Sequence, residues 1–186
     1  MLDLETLHLK NGAHASREKG VCLMEAVASM AGEPHSDAPA CACPVIATFG
    51  RRWNDDLDDA GRQRLKRFVP LIVGSKSTYE VQQRRGWMAA DWMVRVHTPA
   101  WLDLAGLTGQ AAALRALPEL TDPTTLADSR KALNRAKTDS AAARDAAMDA
   151  AMDAAWAAAT KKLEPTKVAL QASAEDLLER ILAVKA

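Results

Sequence analysis

Cys22, His35, Cys41 and Cys43 have the widest chemical repertoire in this sequence, and all four lie in one stretch, Gly20 to Asn54. Thiolates and imidazole are zinc ligands, and a tetrahedral site could draw on this set. The spacing fits poorly: Cys41-Ala42-Cys43 is C-x-C, tighter than the usual zinc ligand pair. Cys22 falls in an apolar run, where a thiol commonly serves as a small hydrophobe. Cys22 near a helix start could also act as a nucleophile, with His35 or His14 as base. No family-specific hydrolase signature surrounds it, so structural thiols are the preferred reading. No cofactor and no metal are expected.

Of the carboxylates, Glu25 sits on the same apolar run and is expected to pair with a basic residue or to cap a neighbouring element. Asp91 is embedded between Trp87 and Val96, where an unpaired carboxylate is costly, and Arg95 lies at i+4 in the favourable acid-then-base order. A structural ion pair is predicted, shared with Arg84, Arg51 or Arg52. Arginine recurs beside tryptophan in Arg51-Arg52-Trp53, in Arg84-Arg85-Gly86-Trp87 and around Arg95 and His97. Guanidinium and indole suit a nucleotide or single-stranded nucleic acid, and they equally suit the anchors of a protein interface. Helical spacing offers a plainer reading for Trp53 and Trp92 as core residues. The row Asp145, Asp149, Asp153 is read as a solvated face.

The elements that must position these groups are helical. Val21 to Ala31 is apolar on nearly every side and stops at Gly32; Pro44 opens a second helix with Val45, Ile46, Phe49 and Trp53 inward. Leu7 and Leu9 allow a short strand or a loop. An acidic connector, 54–59, caps a third helix with Leu65, Phe68, Val69 and Ile72 inside, which Pro70 splits near Val69. Ser77-Thr78-Tyr79-Glu80 has the form of a capping box, and Thr98-Pro99 reads as a cap followed by proline at the first helical position. A short helix, Thr108 to Leu117, follows. Thr121-Asp122-Pro123 opens a long Ala-rich helix to about Leu163, with Met148, Met152 and Trp156 in one row. A break is expected at Glu164-Pro165, then a stripe of Leu170, Ala174, Leu177, Leu178 and Ile181, the two forming a helical hairpin or, as the alternative, a kinked continuous helix. The Ala-rich face expects a partner, from the same chain or, in a homo-oligomer built through residues 122–186, from another copy.

The 186 residues carry 24 basic and 24 acidic side chains, which removes the bulk electrostatic case for nucleic acid or an anionic membrane. No apolar run is long enough to span a bilayer, the N-terminus is acidic, and three cysteines do not make a disulfide framework. A cytoplasmic protein is expected, with no membrane partner.

The blocks Cys-Leu-Met-Glu-Ala-Val-Ala at 22–28, Ala-Gly-Glu-Pro at 31–34, Ser-Asp at 36–37, Cys-Ala-Cys-Pro-Val-Ile at 41–46 and Trp-Asn-Asp at 53–55 resemble a family of proteins from bacteria, prophages and phages. Arg84 to Leu102 and a tail rich in Ala-Ala-Trp and Asp-Ala-Ala are similar to the same family. The resemblance covers most of residues 1–107 and, loosely, the tail. It implies a phage or mobile-element setting and transfers no catalytic residues. The expected fold is all-α, with a compact N-terminal helical domain (1–118) and a long-helix region (122–186). The expected function is a non-enzymatic interaction protein directed at a host or defence complex, through Arg51, Arg52, Trp53, Arg84, Arg85, Trp87, Arg95 and His97. A nucleotide- or small-ligand-binding protein using the same side chains is the alternative, and an enzyme built on Cys22 the third.

Overall fold

The computed structural model describes residues 3–150 and 156–185, with side chains for 3–141 and 163–185. The fold is all-α, and among the described residues there is no strand. The chain divides into two compact units, residues up to Gly86 together with those from Arg180, and Trp87–Glu179. The division therefore falls inside a helix at Gly86, and not at the linker expected near residues 118–122. Low turn content marks the sequence there, so no composition signal announces it.

In the first unit, α1 (Leu23–Met30) is the central rod, with Leu23, Met24, Ala26, Val27 and Ala28 all buried. It ends because Gly32 takes φ +72°, which lets Glu33 N–H reach Ala28 O at 2.9 Å and Gly32 N–H reach Ser29 O at 3.3 Å. Helix α2 (Pro44–Asp56) packs against α1 through Ile46, Ala47 and Trp53. Asp58 caps α3 (Asp59–Arg64), whose Gly61 N–H lies 2.7 Å from Asp58 Oδ1. A 3₁₀ turn, Leu65–Phe68, then leads into α4 (Val69–Ile72), the split that Pro70 predicts. Leu65, Phe68, Val69 and Ile72 fill the core, each such side chain contributing about 1.5–3 kcal/mol of burial.

The N-terminal arm is a loop, not a strand. Its ladder partner is a side chain: Gln63 Oε1 accepts from Leu9 N–H and Gln63 Nε2 donates to Leu9 O, both at 2.9 Å. A glutamine amide presents the same donor and acceptor pair as a peptide, so Leu9 is buried without a neighbouring strand.

Helix α5 (Tyr79–Trp92) starts one residue later than a box at Ser77 would have it. Val81 N–H is 3.4 Å from Thr78 Oγ1, and Glu80 is held below the usual carboxylate range by its own N–H and by the Thr78 hydroxyl. Past Gly86 the chain belongs to the second unit. There α5 passes through a π-helical turn, Met93–His97, straight into α6 (Thr98–Leu104). Thr98 is thus helical and not a cap. Pro99 has no N–H for the carbonyl four residues back and would crowd it. The widened turn relieves that crowding, with Thr98 N–H and, at 2.7 Å, its hydroxyl both given to Met93 O.

Leu102, Ala111, Leu114 and Ala136 form the second unit's core, joining α6, α7 (Thr108–Arg115) and α8 (Pro123–Ala150). Asp122 caps α8, accepting from Thr124 N at 2.7 Å and Thr125 N at 2.9 Å. Thr125 N–H, the largest influence, holds that carboxyl below its ordinary value, and the other N-terminal donors add to it. Helix α9 spans Trp156–Ala183 with Pro165 inside it, so the break expected at Glu164-Pro165 is absent. An interior proline costs about 3 kcal/mol, but Leu170, Ala174, Leu177, Leu178 and Ile181 are all buried just beyond it and fix the helix in place. Residues 151–155, between α8 and α9, lie outside the described residues, and with them the path that would decide the expected hairpin. The side chains of the Asp145, Asp149, Asp153 row and of Met148, Met152 and Trp156 are likewise outside them.

Candidate functional site

The densest cluster of reactive side chains forms around Glu25, which is 1% exposed on the first turn of α1. Cys22 is the N-cap, in extended backbone conformation, and its N–H reaches Glu25 Oε2 at 2.7 Å. This is a capping box with cysteine in the place of serine, so the α1 N-terminus is closed reciprocally by residues 22 and 25. His14 gives the same carboxylate its backbone N–H and its Nδ1, the latter at 2.9 Å. His35 Nε2 lies 3.4 Å from Glu25 Oε1 and 3.1 Å from His14 O. A carbonyl can only accept, so His35 carries its hydrogen on Nε2. Gly20 completes the seat. A Cβ there would stand 2.3 Å from the His14 ring, so the imidazole lies against bare backbone. Asn54, fully buried, takes Leu23 N–H on Oδ1 at 3.2 Å and gives Nδ2 to Lys10 O at 2.9 Å, tying α1, α2 and the arm together.

Burial alone would raise the Glu25 pKa. The N–H groups of Cys22 and His14 and the His14 imidazole outweigh it, and the carboxyl ends below its ordinary value. Burial has the opposite outcome at Cys22, where desolvation, with the neighbouring Glu25 charge, pushes the thiol up to about 12. At neutral pH such a group is thiolate in roughly one molecule in 10⁵. A cysteine, two histidines and a glutamate meet here, yet both imidazoles address the carboxylate and the sulfur stays protonated. This arrangement is a folding clamp, and it leaves Cys22 without the activation a nucleophile needs.

The other two thiols are placed separately. Cys43 is the buried N-cap of α2, with its N–H 3.0 Å from Ser75 Oγ. Cys41 is half-exposed in a loop pinned by Glu33, whose carboxylate accepts from Ala40 N at 2.6 Å and Cys41 N at 2.8 Å. Among the described residues no three His, Cys, Asp or Glu side chains converge as a metal site would need. Alkylation with iodoacetamide at neutral pH should modify one thiol per chain, Cys41, with Cys22 and Cys43 reacting only as the chain unfolds. Peptide mapping by mass spectrometry reads this directly, and early labelling of Cys22 would contradict the closed cap.

The Arg/Trp set falls in both units: Arg51, Arg52, Trp53, Arg84 and Arg85 in the first, Trp87, Arg95 and His97 in the second. Trp53 is core, its ring 5.7 Å from Phe49 and 6.0 Å from Phe68. Arg51 holds the proline-rich loop through Asp37 O at 2.8 Å, and Arg52 forms an exposed i,i+4 pair with Asp56. Arg84 is exposed and Trp87 half-buried. Arg85 is 3% exposed, and its donors go to Ser75 O at 2.6 Å, Val184 O at 2.8 Å and Ile181 O at 3.0 Å. Arg95 grips Asp91 with both ends of its fork, at 2.6 and 2.8 Å, so the i,i+4 pair forms as the spacing predicts. Its further partners are the backbone at Leu117 and, for Asp91, at Leu120, in place of the arginines expected to share it. His97 lies between Trp92 and Trp101, ring centroids 5.2 and 6.2 Å away, and accepts from Trp101 Nε1 at 3.2 Å.

Beside this group large apolar side chains reach the surface. Met93, Val96 and Trp101 are exposed by 46%, 39% and 37% along the π turn and α6. Sequence reasoning selected His97 and missed these three, since helical periodicity put Val96 on an inner face. The π turn shifts that register by one residue and brings it out. No protein-family model, curated protein or solved structure matches the chain.

Proposed function

We propose that this protein acts by binding another protein, as a non-enzymatic interaction factor of the phage or mobile-element type its sequence resembles, with a host or defence protein as the target. The observation that carries the reading is the exposed face of Met93, Val96 and Trp101 on the π turn and α6. A flexible thioether and a partly rigid indole with a polar rim are what protein interfaces use as anchors. A π-helical turn is also a feature found disproportionately at functional positions. Charge favours a protein over nucleic acid, because Arg95, on the same π turn, is neutralised by Asp91. Its occupant is therefore an apolar pocket on a folded partner.

The test is affinity capture from the host with the wild-type chain and with a Met93→Ala/Trp101→Ala variant, followed by titration of the recovered protein. Central aromatic anchors contribute about 2 kcal/mol or more, so the variant should bind the same partner at least ~30-fold more weakly while keeping its helical circular dichroism. A folded variant that retains wild-type affinity would sink the proposal.

A further inference from the structure

We propose that a small cavity beside Arg85, in the first unit, is a binding site for a phosphate group. The cavity measures about 140 Å³, and its lining includes Ser75, Lys76, Ser77, Arg85 and Lys185 beside apolar residues such as Leu71. Its charge is the argument. Arg85 is buried, and its described partners are three carbonyl oxygens: Ser75 O and the two at the end of α9, Ile181 O and Val184 O. A helix C-terminus presents roughly half a negative charge, so these acceptors offset only part of a full guanidinium charge. Buried charges are ordinarily paired with an opposite charge. Among the described residues no carboxylate forms an ion pair with Arg85, Lys76 or Lys185. Three cations thus line one polar cavity, and among the described residues none of them has a carboxylate partner.

The donor set indicates which anion. Arg85 comes from α5, Lys76 and Ser77 from the segment after α4, and Lys185 from the segment after α9. A guanidinium has five N–H donors and three are committed, so two N–H groups remain for a ligand. Donors from three separate chain segments suit a tetrahedral oxyanion, which offers several oxygens, better than a planar carboxylate, which one fork would satisfy. The volume holds a phosphate group and little more, so any organic remainder of a phosphomonoester lies outside, over the exposed Leu71.

Isothermal titration with inorganic phosphate, at ionic strength fixed with sodium chloride, should show saturable one-to-one binding to the full chain. Acetate in the same buffer should bind at least ~10-fold more weakly. The Lys76→Ala/Lys185→Ala variant changes two exposed side chains, leaves the Arg85 carbonyl bonds intact, and should lose about tenfold or more in phosphate affinity. Adenosine monophosphate as a second titrant separates the sources. Tighter binding than inorganic phosphate identifies a phosphomonoester, and equal or weaker binding identifies the free anion. No saturable phosphate binding, acetate binding as tight as phosphate, or a double-lysine variant within ~2-fold of wild type each overturns the proposal.

Discussion

Replacing Glu25 by alanine is expected to destabilise the protein by about 4 kcal/mol. The carboxylate satisfies Cys22 N–H, His14 N–H and His14 Nδ1, and faces His35 Nε2, in a setting only 1% exposed. Alanine strands these donors, and each buried unsatisfied donor costs about 1–3 kcal/mol. Glutamine keeps one oxygen but turns the other acceptor into a donor facing donors, so Glu25→Gln should cost about 2 kcal/mol. Urea unfolding at neutral pH measures both as a fall in midpoint at constant slope. A loss below ~1 kcal/mol for Glu25→Ala would show that the cluster is not what closes the start of α1.

The same clamp makes stability pH-dependent with a definite sign. Since the folded Glu25 pKa lies below its ordinary value of 4.5, the folded state binds its proton less readily than the unfolded chain does. The contribution is complete above the unfolded pKa and disappears as pH falls through the folded one. The wild-type advantage over Glu25→Gln should therefore shrink as pH falls below about 4. A gap that widens in that acid range would reverse the assignment of which form of Glu25 the cluster favours.

These two residues, 22 and 25, also show what a sequence can and cannot display. The helix they begin was legible from its apolar run and from Gly32, because stop signals and periodicity are local properties. The cap was not, because capping boxes are read from serine or threonine, and cysteine at residue 22 suggested reactivity instead. His14 was out of reach for another reason: its approach depends on a bare Gly20 and on a loop whose path follows no period. Asp122 at the start of α8 and the Asp91–Arg95 pair were legible because each is made within a few residues. Arg85 and Ser75 were not, since their partners lie 96 and 32 residues away in sequence. The π turn is intermediate. Pro99 announces a disturbance, and the spacing rule places a helix start there, but only the crowded carbonyl decides that the helix widens and continues.

Asp91 is the second position where one atom set decides a unit's integrity, and Asp91→Ala is expected to cost about 3 kcal/mol. Its Oδ1 accepts Arg95 Nε at 2.6 Å and Leu120 N–H at 2.9 Å, and its Oδ2 accepts Arg95 Nη2 at 2.8 Å. Asp91, through the Arg95 hydrogen bonds first, raises the arginine's pKa; without the acid the guanidinium still stays charged, because an arginine is not deprotonated near neutral pH. Alanine at 91 then leaves a partly buried guanidinium unpaired and Leu120 N–H without an acceptor, two losses that act together. Leu120, 1% exposed, precedes the Asp122 cap of α8, so the first sign of damage is local. Hydrogen exchange at the Leu120 amide should accelerate by at least ~10-fold in Asp91→Ala, before any change in the first unit's amides. Removing both charges should be milder than removing the acid alone, because Asp91→Ala/Arg95→Met leaves no stranded cation. If the double variant is the less stable one, or if Leu120 exchange is unchanged, the pair does not hold the α7–α8 connection to α5, and the backbone bond to Leu117 O must carry it instead.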